Sequence, residues 1–147
     1  MEDRYLFKAK RLDNGEWEIG SLIILPNGKY EIANFCAKPP DSDPMWKACV
    51  ITHLVDPSTL CQCTGLKDKK GKPIWENDIV EIGEHEDSVN GLYKVIYCGI
   101  NFCYALERSI DFHYNFFTFS ALNGFETSSE VIGNIFDDPE LLRRNEE

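Results

Sequence analysis

The sequence predicts an all-β fold, mainly antiparallel, in which short strands form a small barrel or sandwich with one or two short helices, including a C-terminal one. Two patterns lead to this prediction. Short segments alternate between apolar and polar residues, which is typical of strands that bury one face. Glycine, proline, asparagine and aspartate separate these segments at short and regular intervals, as turn residues do.

The N-terminal part of the chain predicts a three-stranded meander. A first strand over residues 5–10 would bury Tyr5 and the next alternate side chains, and the Asp-Asn-Gly triplet that follows tolerates the positive φ of a tight hairpin. The return strand is expected at residues 16–25. A Pro-Asn-Gly turn comes next, and the alternation resumes in a third strand at residues 29–35.

The remaining segments predict further short strands and a C-terminal helix. Three prolines in residues 37–44 exclude a helix interior or a central strand and indicate a surface loop. A turn is expected around residues 109–113, with a short strand after it. Residues 138–142 begin with Asp-Pro-Glu, which favours the start of a short helix. The other predicted strands cover residues 48–55, 60–66, 79–83, 92–97, 102–107 and 131–136.

One segment, residues 63–82, organises the rest of the chain and is called the signature segment below. It reads as a strand, a lysine-rich turn, a short apolar pair, a second tight turn and another strand. Because the chain reverses on both sides of Trp75, we expect this side chain to lie in the core together with Ile79 and Ile82. Gly65 is expected to meet a backbone requirement. The structural signature therefore comprises Gly65, Gly71, Trp75, Asp78 and Ile79.

Three parts of the chain carry a family resemblance. The signature segment contains Thr-Gly-Leu-Lys-Asp-Lys-Lys-Gly-Lys and, one residue later, Ile-Trp-Glu-Asn-Asp-Ile-Val. A predicted hairpin at the N-terminal end and a predicted strand with a short helix at the C-terminal end complete the pattern. The matching segments are residues 4–11, 13–17, 64–72, 74–80, 131–136 and 138–142. Together they resemble the YopX family of phage and prophage proteins.

The resemblance implies a small, mostly β fold that is encoded by a mobile element and has no established activity. It spans the whole chain, but it has departures. Asn77 stands where the family more often has a glycine. Residues 34–59 and 84–127 fall in segments that vary in length and content across such proteins.

Composition and charge limit the kinds of protein that this chain can be. Its 147 residues, 43% of them hydrophobic, are expected to form a single domain over residues 1–147, with residues 143–147 frayed. The charged N-terminal residues lead into a strand pattern and not into the apolar segment of a signal peptide. We therefore expect the protein to be located in the cytoplasm of a host bacterium. No membrane span is expected. The net charge of −10 opposes tight binding to nucleic acid.

The six cysteines are expected to be free thiols buried in strands, as a reducing cytoplasm favours. Cys61 and Cys63 share one face of a predicted strand, and Cys98 with Cys103 could complete a zinc site. The spacing argues against this site, because structural zinc prefers paired ligands with about two to four residues between them. We therefore expect neither a metal nor another cofactor. The cysteines are Cys36, Cys49, Cys61, Cys63, Cys98 and Cys103.

Motifs for catalysis are absent from the sequence. The acidic runs at residues 41–43 and 84–87 are typical of solvated loop tips. Neither a nucleophile elbow nor a cysteine signature accompanies His53, His85 or His113, so no catalytic triad is predicted. Glycine-rich phosphate-binding motifs are absent as well. No catalytic residue is proposed from the sequence.

Four lysines crowd one turn of the signature segment and form the candidate interaction surface. This cluster, called the lysine turn below, consists of Lys67, Lys69, Lys70 and Lys72. With Trp75 nearby, it could contact a phosphate backbone and stack on a base, as single-strand binders do. The acidic net charge favours a simpler interpretation, in which the lysine turn is solvated and protects a sheet edge from other chains.

The sequence favours a non-enzymatic phage or prophage accessory protein that binds another macromolecule. An unidentified protein and a second copy of the chain are the expected partners, whereas nucleic acid is expected to bind only weakly. Two alternatives stay open. One is an acidic mimic of nucleic acid that occupies a host DNA-binding protein. The other is an enzyme whose active site is assembled from residues that are distant in sequence.

Overall fold

Antiparallel strand pairing dominates the structure, which is a computed structural model. The structure describes residues 2–35, 50–83, 90–98, 103–110, 113–118 and 128–146. In this part of the chain the strands pair antiparallel in two sheets, and the helices are short 3₁₀ helices. The prediction of an all-β, mainly antiparallel fold is therefore confirmed.

The chain divides into two units, and the boundary falls inside a strand. The N-terminal unit is Glu2–Gln62 and the C-terminal unit includes Cys63–Glu147. The strands of the first are β1 (Phe7–Lys10), β2 (Trp17–Ile24), β3 (Tyr30–Phe35), β4 (Val50–Val55) and the start of β5 (Cys61–Lys67). Those of the second are the rest of β5, β6 (Pro73–Trp75), β7 (Asp78–Ile82), β8 (Gly91–Cys98), β9 (Cys103–Ile110), β10 (His113–Thr118) and β11 (Ser129–Asn134).

The N-terminal unit is built on the predicted meander. Its sheet has the order β4-β3-β2-β1-β5, with neighbouring strands antiparallel. The first hairpin closes at Gly15, whose φ of 72° suits glycine, and Lys10 pairs with Trp17 across it. A small core forms on one face of the sheet. Its buried side chains are Ala9, Ile32 and Val55, with Phe7, Tyr30 and Leu60 packed against them.

Tyr5 does not belong to the first strand, and that part of the prediction was wrong. It ends a 3₁₀ helix, Glu2–Tyr5, and its side chain is 72% exposed. The backbone explains the difference, because Leu6 N donates to Asp3 O at 3.0 Å and closes a tight turn before the strand begins. Strand β1 then starts at Phe7.

The far end of β4 returns to the first hairpin. Arg11 and Val55 form an isolated antiparallel bridge, in which Leu12 N donates to Leu54 O at 3.0 Å. The chain continues into a second 3₁₀ helix, Pro57–Thr59, at the predicted Asp-Pro-Ser-Thr turn. The side chain of Asp56 begins this helix by accepting a hydrogen bond from the backbone of Ser58.

The C-terminal unit contains a five-stranded sheet and the larger core. The sheet order is β10-β9-β8-β7-β11, and β5 pairs with β6 beside the signature turns. Alternation along β7, β8 and β9 sends apolar side chains to one side of the sheet. The core residues are Ile74, Val80, Ile82, Tyr93, Val95, Leu106 and Val131, with Leu66 against them. A third 3₁₀ helix, Pro139–Glu146, confirms the predicted C-terminal helix.

Two predicted boundaries differ from the structure. The closing strand β11 covers Ser129–Asn134, not residues 131–136, because Asn134 begins a turn in which its side chain accepts hydrogen bonds from Phe136 N and Asp137 N. Strand β9 also continues to Ile110, where a turn was expected to have begun. The predicted loop at residues 37–44 and the acidic run at residues 84–87 lie outside the described residues.

Candidate functional site

The lysine turn is built around a buried carboxylate. Asp68 accepts hydrogen bonds from Lys70 N at 2.9 Å, from Lys72 N at 2.8 Å and from Val131 N at 3.0 Å. The turn is completed by Gly71, whose φ of 79° favours a residue without a side chain. Asp68 therefore holds the turn in shape and also ties it to β11.

The surroundings of Asp68 keep its carboxylate charged. Burial works to raise its pKa, but the backbone donors of Val131, Lys72 and Lys70, together with the charge of Lys72, outweigh this effect. The pKa of Asp68 therefore lies below its ordinary value of 3.8. A hydrogen-bonded carboxylate of this kind is a structural anchor at neutral pH, because its acceptor sites are directed at fixed backbone donors.

The four lysine side chains are exposed, but two of them are paired. Lys70 Nζ forms a close ion pair with Glu130 on β11, and Lys69 Nζ lies 3.4 Å from the same carboxylate. The hydrogen bond with Glu130 raises the pKa of Lys70, and the same contact lowers the pKa of Glu130. Among the described residues, Lys67 and Lys72 form no ion pair. The lysine turn therefore offers less free positive charge than its sequence indicates.

The lysine turn covers the outer edge of β11. Lys69 N donates to Ser129 O at 2.9 Å, and Val131 N donates to the side chain of Asp68. These groups point away from the neighbouring strand β7, so the turn satisfies them where another chain could otherwise pair. The register shift in β11 bends the same edge further from a straight strand.

The second turn of the signature segment directs Trp75 inward. Trp75 N donates to Asp78 Oδ2 at 2.8 Å, and Asn77 between them has a φ of 67°. Asparagine tolerates this conformation better than most residues, which explains how it can replace a glycine here. The Trp75 side chain is 7% exposed, and Ile79 and Ile82 are buried as the sequence predicts.

Gly65 lies at an irregular point of β5. Its φ is 80°, and the pairing of β5 with β6 shifts register between Cys63 and Lys67. A side chain at this φ would strain the backbone, so Gly65 meets the expected backbone requirement. Beside it, Thr64 Oγ1 donates to Ile74 O at 2.7 Å and satisfies a buried carbonyl.

The described cysteines are buried and unlinked. Cys61 and Cys63 are free thiols, in agreement with the prediction for these two residues. Cys98 and Cys103 are register partners across the β8–β9 hairpin, and their side chains lie outside the described part of the structure, as Cys36 and Cys49 do. Among the described residues, no three His, Cys, Asp or Glu side chains converge as metal ligands do.

The N-terminal unit carries most of the exposed apolar surface of the described chain. Among the described residues nine large hydrophobic side chains are exposed; eight of them belong to the N-terminal unit, and Tyr97 belongs to the C-terminal unit. Four of the others share the sheet face opposite to the core, because their positions alternate with core positions and their strands are in register. This group, called the apolar face below, consists of Ile19, Ile23, Val50 and Leu54.

A polar cluster lies at one end of the core face of the same sheet. Glu18 accepts a hydrogen bond from the side chain of Asn34, and His53 Nδ1 lies 3.6 Å from Glu18 Oε2. Arg11 Nη1 is 3.9 Å from the same oxygen. Gly20 makes room for this arrangement, since a Cβ there would collide with the backbone carbonyl of Ala33 and with the side chain of Asn34. Sequence reasoning missed the cluster because its members come from separate strands and form no motif.

The His53 side chain connects this cluster to a shallow cleft. Its Nδ1 atom is buried without a hydrogen-bond partner in the described structure. The cleft has a volume of about 470 Å³. It is lined by Leu12, Asp13, Glu31, Thr52, His53 and Leu54. The lining therefore combines apolar, acidic and hydroxyl side chains with His53.

The matches to known proteins now identify the family. A family model described as "YopX protein" matches residues 8–143, which is most of the chain. The chain belongs to the YopX family. The crystal structure of protein EF1440 from Enterococcus faecalis resembles this YopX-family chain with a TM-score of 0.49 and 20% sequence identity, covering 92% of this chain and 96% of that chain. A comparison with curated proteins gave no match.

No helix in the described part of this YopX-family chain has both the length and the apolar character needed to cross a membrane. The longest one, Pro139–Glu146, spans eight residues and contains charged side chains. The family match and the geometry together therefore describe a β-rich chain with one closed sheet edge and one apolar sheet face.

Proposed function

We propose that this YopX-family chain is a phage- or prophage-encoded accessory protein that acts in the cytoplasm of a host bacterium. In this proposal it is not an enzyme, binds a host protein, and associates with a second copy of itself. The observation that carries the proposal is the apolar face of the N-terminal unit. Several apolar side chains exposed on one sheet face are typical of protein interaction sites, because covering them releases ordered water.

The charge distribution supports a protein partner over nucleic acid. Glu130 pairs with Lys69 and Lys70 and offsets one of the four positive charges of the lysine turn, and the chain as a whole has a net charge of −10. We expect affinity for duplex DNA to be weak and to fall steeply with salt. Fluorescence anisotropy over a salt series measures this. Nanomolar binding that persists at about 200 mM salt would contradict the expectation and favour a nucleic-acid function.

The acidic side chains also favour a binding protein over a mimic of nucleic acid. A mimic needs carboxylates that are free and spaced along one face like phosphates. In this chain, Asp13 pairs with Arg11, Asp68 accepts backbone hydrogen bonds, and Glu130 pairs with two lysines. These three carboxylates are already bonded within the chain, so they are not available to a phosphate-like row.

A capture experiment with matched variants tests the proposal. The tagged chain is incubated with host lysate, and the retained proteins are identified by mass spectrometry. Replacing Ile19 and Ile23 together by lysine places charges on the apolar face and should abolish retention of the specific partner. The control replaces Lys67 and Lys72 by serine, which leaves the apolar face intact and should preserve retention.

The variants also define the contrary outcomes. If the apolar-face variant is folded and retains the same proteins as the parent, the apolar face is not the binding surface and the proposal fails. If only the Lys67 and Lys72 variant loses the partner, the lysine turn is the binding surface. Circular dichroism establishes that each variant is folded before retention is compared.

A further inference from the structure

We infer that β4 is an edge for strand addition and that its occupant is β4 of a second copy of this chain. In the inferred dimer the two β4 strands pair antiparallel about a twofold axis centred on Ile51. Strand addition joins chains through main-chain hydrogen bonds along an exposed sheet edge. The inference rests on the self-association included in the proposed function, and it identifies the β4 edge as the surface through which the two copies associate.

A hydrogen bond at the end of β4 fixes the direction of its backbone groups. Leu12 N donates to Leu54 O at 3.0 Å, so the backbone groups of Leu54 point away from β3. Because these groups alternate along a strand, those of Thr52 and Val50 also point away from β3. The pairing of β4 with β3 continues through all its residues without a register shift, so the alternation is unbroken.

The outward groups of Val50 and Thr52 have no backbone partner in the described N-terminal unit. Strand β4 is the last strand of its sheet, next to β3. Outside that pairing, residues 2–35 and 50–62 make no backbone hydrogen bond to either residue. Backbone N–H and C=O groups in such a row are a ready template for another strand, because each gains a partner when the strand binds.

The composition of β4 leaves its edge unprotected. Val50–Val55 contains no proline and no lysine, arginine, aspartate or glutamate, and most of its residues have high β-propensity. Val50 is 51% exposed and Ile51 is 43% exposed, although they lie on opposite faces of the strand. Proteins normally protect a free edge with charge, proline or a bulge. β4 has none of these, so its edge is suited to being covered.

The number of outward groups favours a second copy over a longer peptide. Pairing about Ile51 places Val50 of each copy opposite Thr52 of the other. This register joins every outward N–H and C=O group of these two residues in about four hydrogen bonds. A longer peptide strand would run on towards Leu54, where the carbonyl is already bonded by Leu12. The free edge is therefore short, and an equally short edge matches it.

Symmetry also favours a second copy, and the absence of charged side chains on β4 permits one. Two chains that each have a net charge of −10 repel one another at long range, so their contact is best formed by an uncharged segment. β4 is such a segment, apart from the titratable His53. Antiparallel pairing of two identical edges is closed, because each edge covers the other and leaves none for a third chain. A dimer follows, and not a fibre.

The first test compares the oligomeric state of the parent chain with that of Thr52→Pro. Proline removes the outward N–H of Thr52 and is tolerated on an edge strand where the N–H faces away from the neighbour. We expect the parent to be a dimer in light scattering and sedimentation equilibrium. Thr52→Pro should weaken dimerisation by about tenfold to a hundredfold, because each dimer loses two hydrogen bonds.

A second variant keeps the test decisive if Thr52→Pro is not folded. Ile51→Lys changes an exposed side chain and places two like charges opposite each other at the twofold axis, which should also give a monomer. The matched control is Ile24→Lys, at a side chain that is 61% exposed on β2, away from the β4 edge. This control should stay dimeric.

Cross-linking supplies a positive readout for the register. Ile51→Cys places thiols on directly opposed residues of the two copies, at a separation that a disulfide spans. Under mild oxidation it should give a covalent dimer, whereas Ile24→Cys should not.

Three outcomes would overturn the inference. The first is a parent chain that is monomeric at about 100 μM, a concentration well above the dissociation constant of a stable dimer. The second is a dimer that persists unchanged in both Thr52→Pro and Ile51→Lys. The third is a parent chain that stays monomeric while its β4 edge binds another protein. None of these outcomes affects the capture of a host protein by the apolar face.

Discussion

The edges of β4 and β11 show two different treatments of the same structural problem. At β11, the lysine turn bonds the outward C=O of Ser129 and the outward N–H of Val131, and a register shift bends the strand. At β4, Val50 and Thr52 keep their outward groups free in the described N-terminal unit. One edge is closed by the chain itself, and the other is available to a partner.

The distribution of apolar side chains repeats this difference. The C-terminal unit buries a core of seven residues, and Tyr97 is its one exposed large hydrophobic side chain among the described residues. The N-terminal unit has a core of three buried residues and exposes the apolar face. Burial of the signature segment therefore stabilises one unit, whereas the exposed face of the other is suited to contact. The most recognisable segment of the sequence therefore need not be the binding surface.

The strongest test of this comparison is truncation of Trp75. Trp75→Ala should lower the free energy of unfolding by about 3–5 kcal/mol, because it removes a large buried side chain and leaves a cavity. The matched change Ile24→Ala, at an exposed position of β2, should stay within about 0.5 kcal/mol. Urea denaturation measures both. If Trp75→Ala were as stable as the parent but lost a binding partner, Trp75 would be a contact residue and the comparison would fail.

A smaller effect is expected from opening the closed edge at Asp68. Asp68→Asn replaces a charged acceptor of three backbone N–H groups and should cost about 1.5–3 kcal/mol, the range for hydrogen bonds to charged groups. Loss of this anchor should also release the lysine turn from β11. Hydrogen exchange at Val131 should therefore be faster in the variant than in the parent. Unchanged stability and unchanged exchange would show that Asp68 does not close this edge.

Acid should weaken the same anchor. The folded-state pKa of Asp68 lies below its ordinary value of 3.8, so its contribution to stability is complete above that value and is lost as the pH falls through the lowered pKa. The parent should therefore lose more stability than Asp68→Asn between neutral pH and about pH 3. Urea midpoints over this pH series measure the difference. Parallel curves for the two proteins would contradict the assigned role.

The smallest effect is expected from the unpaired lysines. Lys67→Ser and Lys72→Ser change exposed side chains, and each should alter the free energy of unfolding by less than about 0.5 kcal/mol. Thermal melts of the single variants measure this. A large destabilisation from either change would mean that the lysine turn is held by these side chains and not by Asp68.

Local sequence patterns predict the fold more fully than they predict the interaction surfaces. The first hairpin and the turn at Asn77 follow from residues that are adjacent in sequence, so their chemistry could be read directly. The pairing of Glu130 with Lys70 could not, because these residues are separated by 60 positions and no local pattern relates them. The edge character of β4 depends on the order of strands in the sheet, which alternation does not specify.

The polar cluster near His53 shows a second limit of sequence reasoning. His53 was considered only as a member of a catalytic triad, for which no motif exists. It lies 3.6 Å from Glu18 on another strand, and Gly20 is needed for the backbone of Ala33 and the side chain of Asn34 to approach. Such a cluster arises from strand register, so a scan for short motifs does not find it.

The attachment of the lysine turn to β11 has a consequence for the time course of folding. The hydrogen bond from Val131 to Asp68 joins residues 63 positions apart. Contacts of such separation form slowly, since a long loop must close before they contribute. During synthesis, Asp68 leaves the ribosome well before Val131, because the chain emerges from its N-terminal end. We therefore expect the lysine turn to remain solvated on the nascent chain, where its charge keeps the waiting segment soluble until β11 arrives.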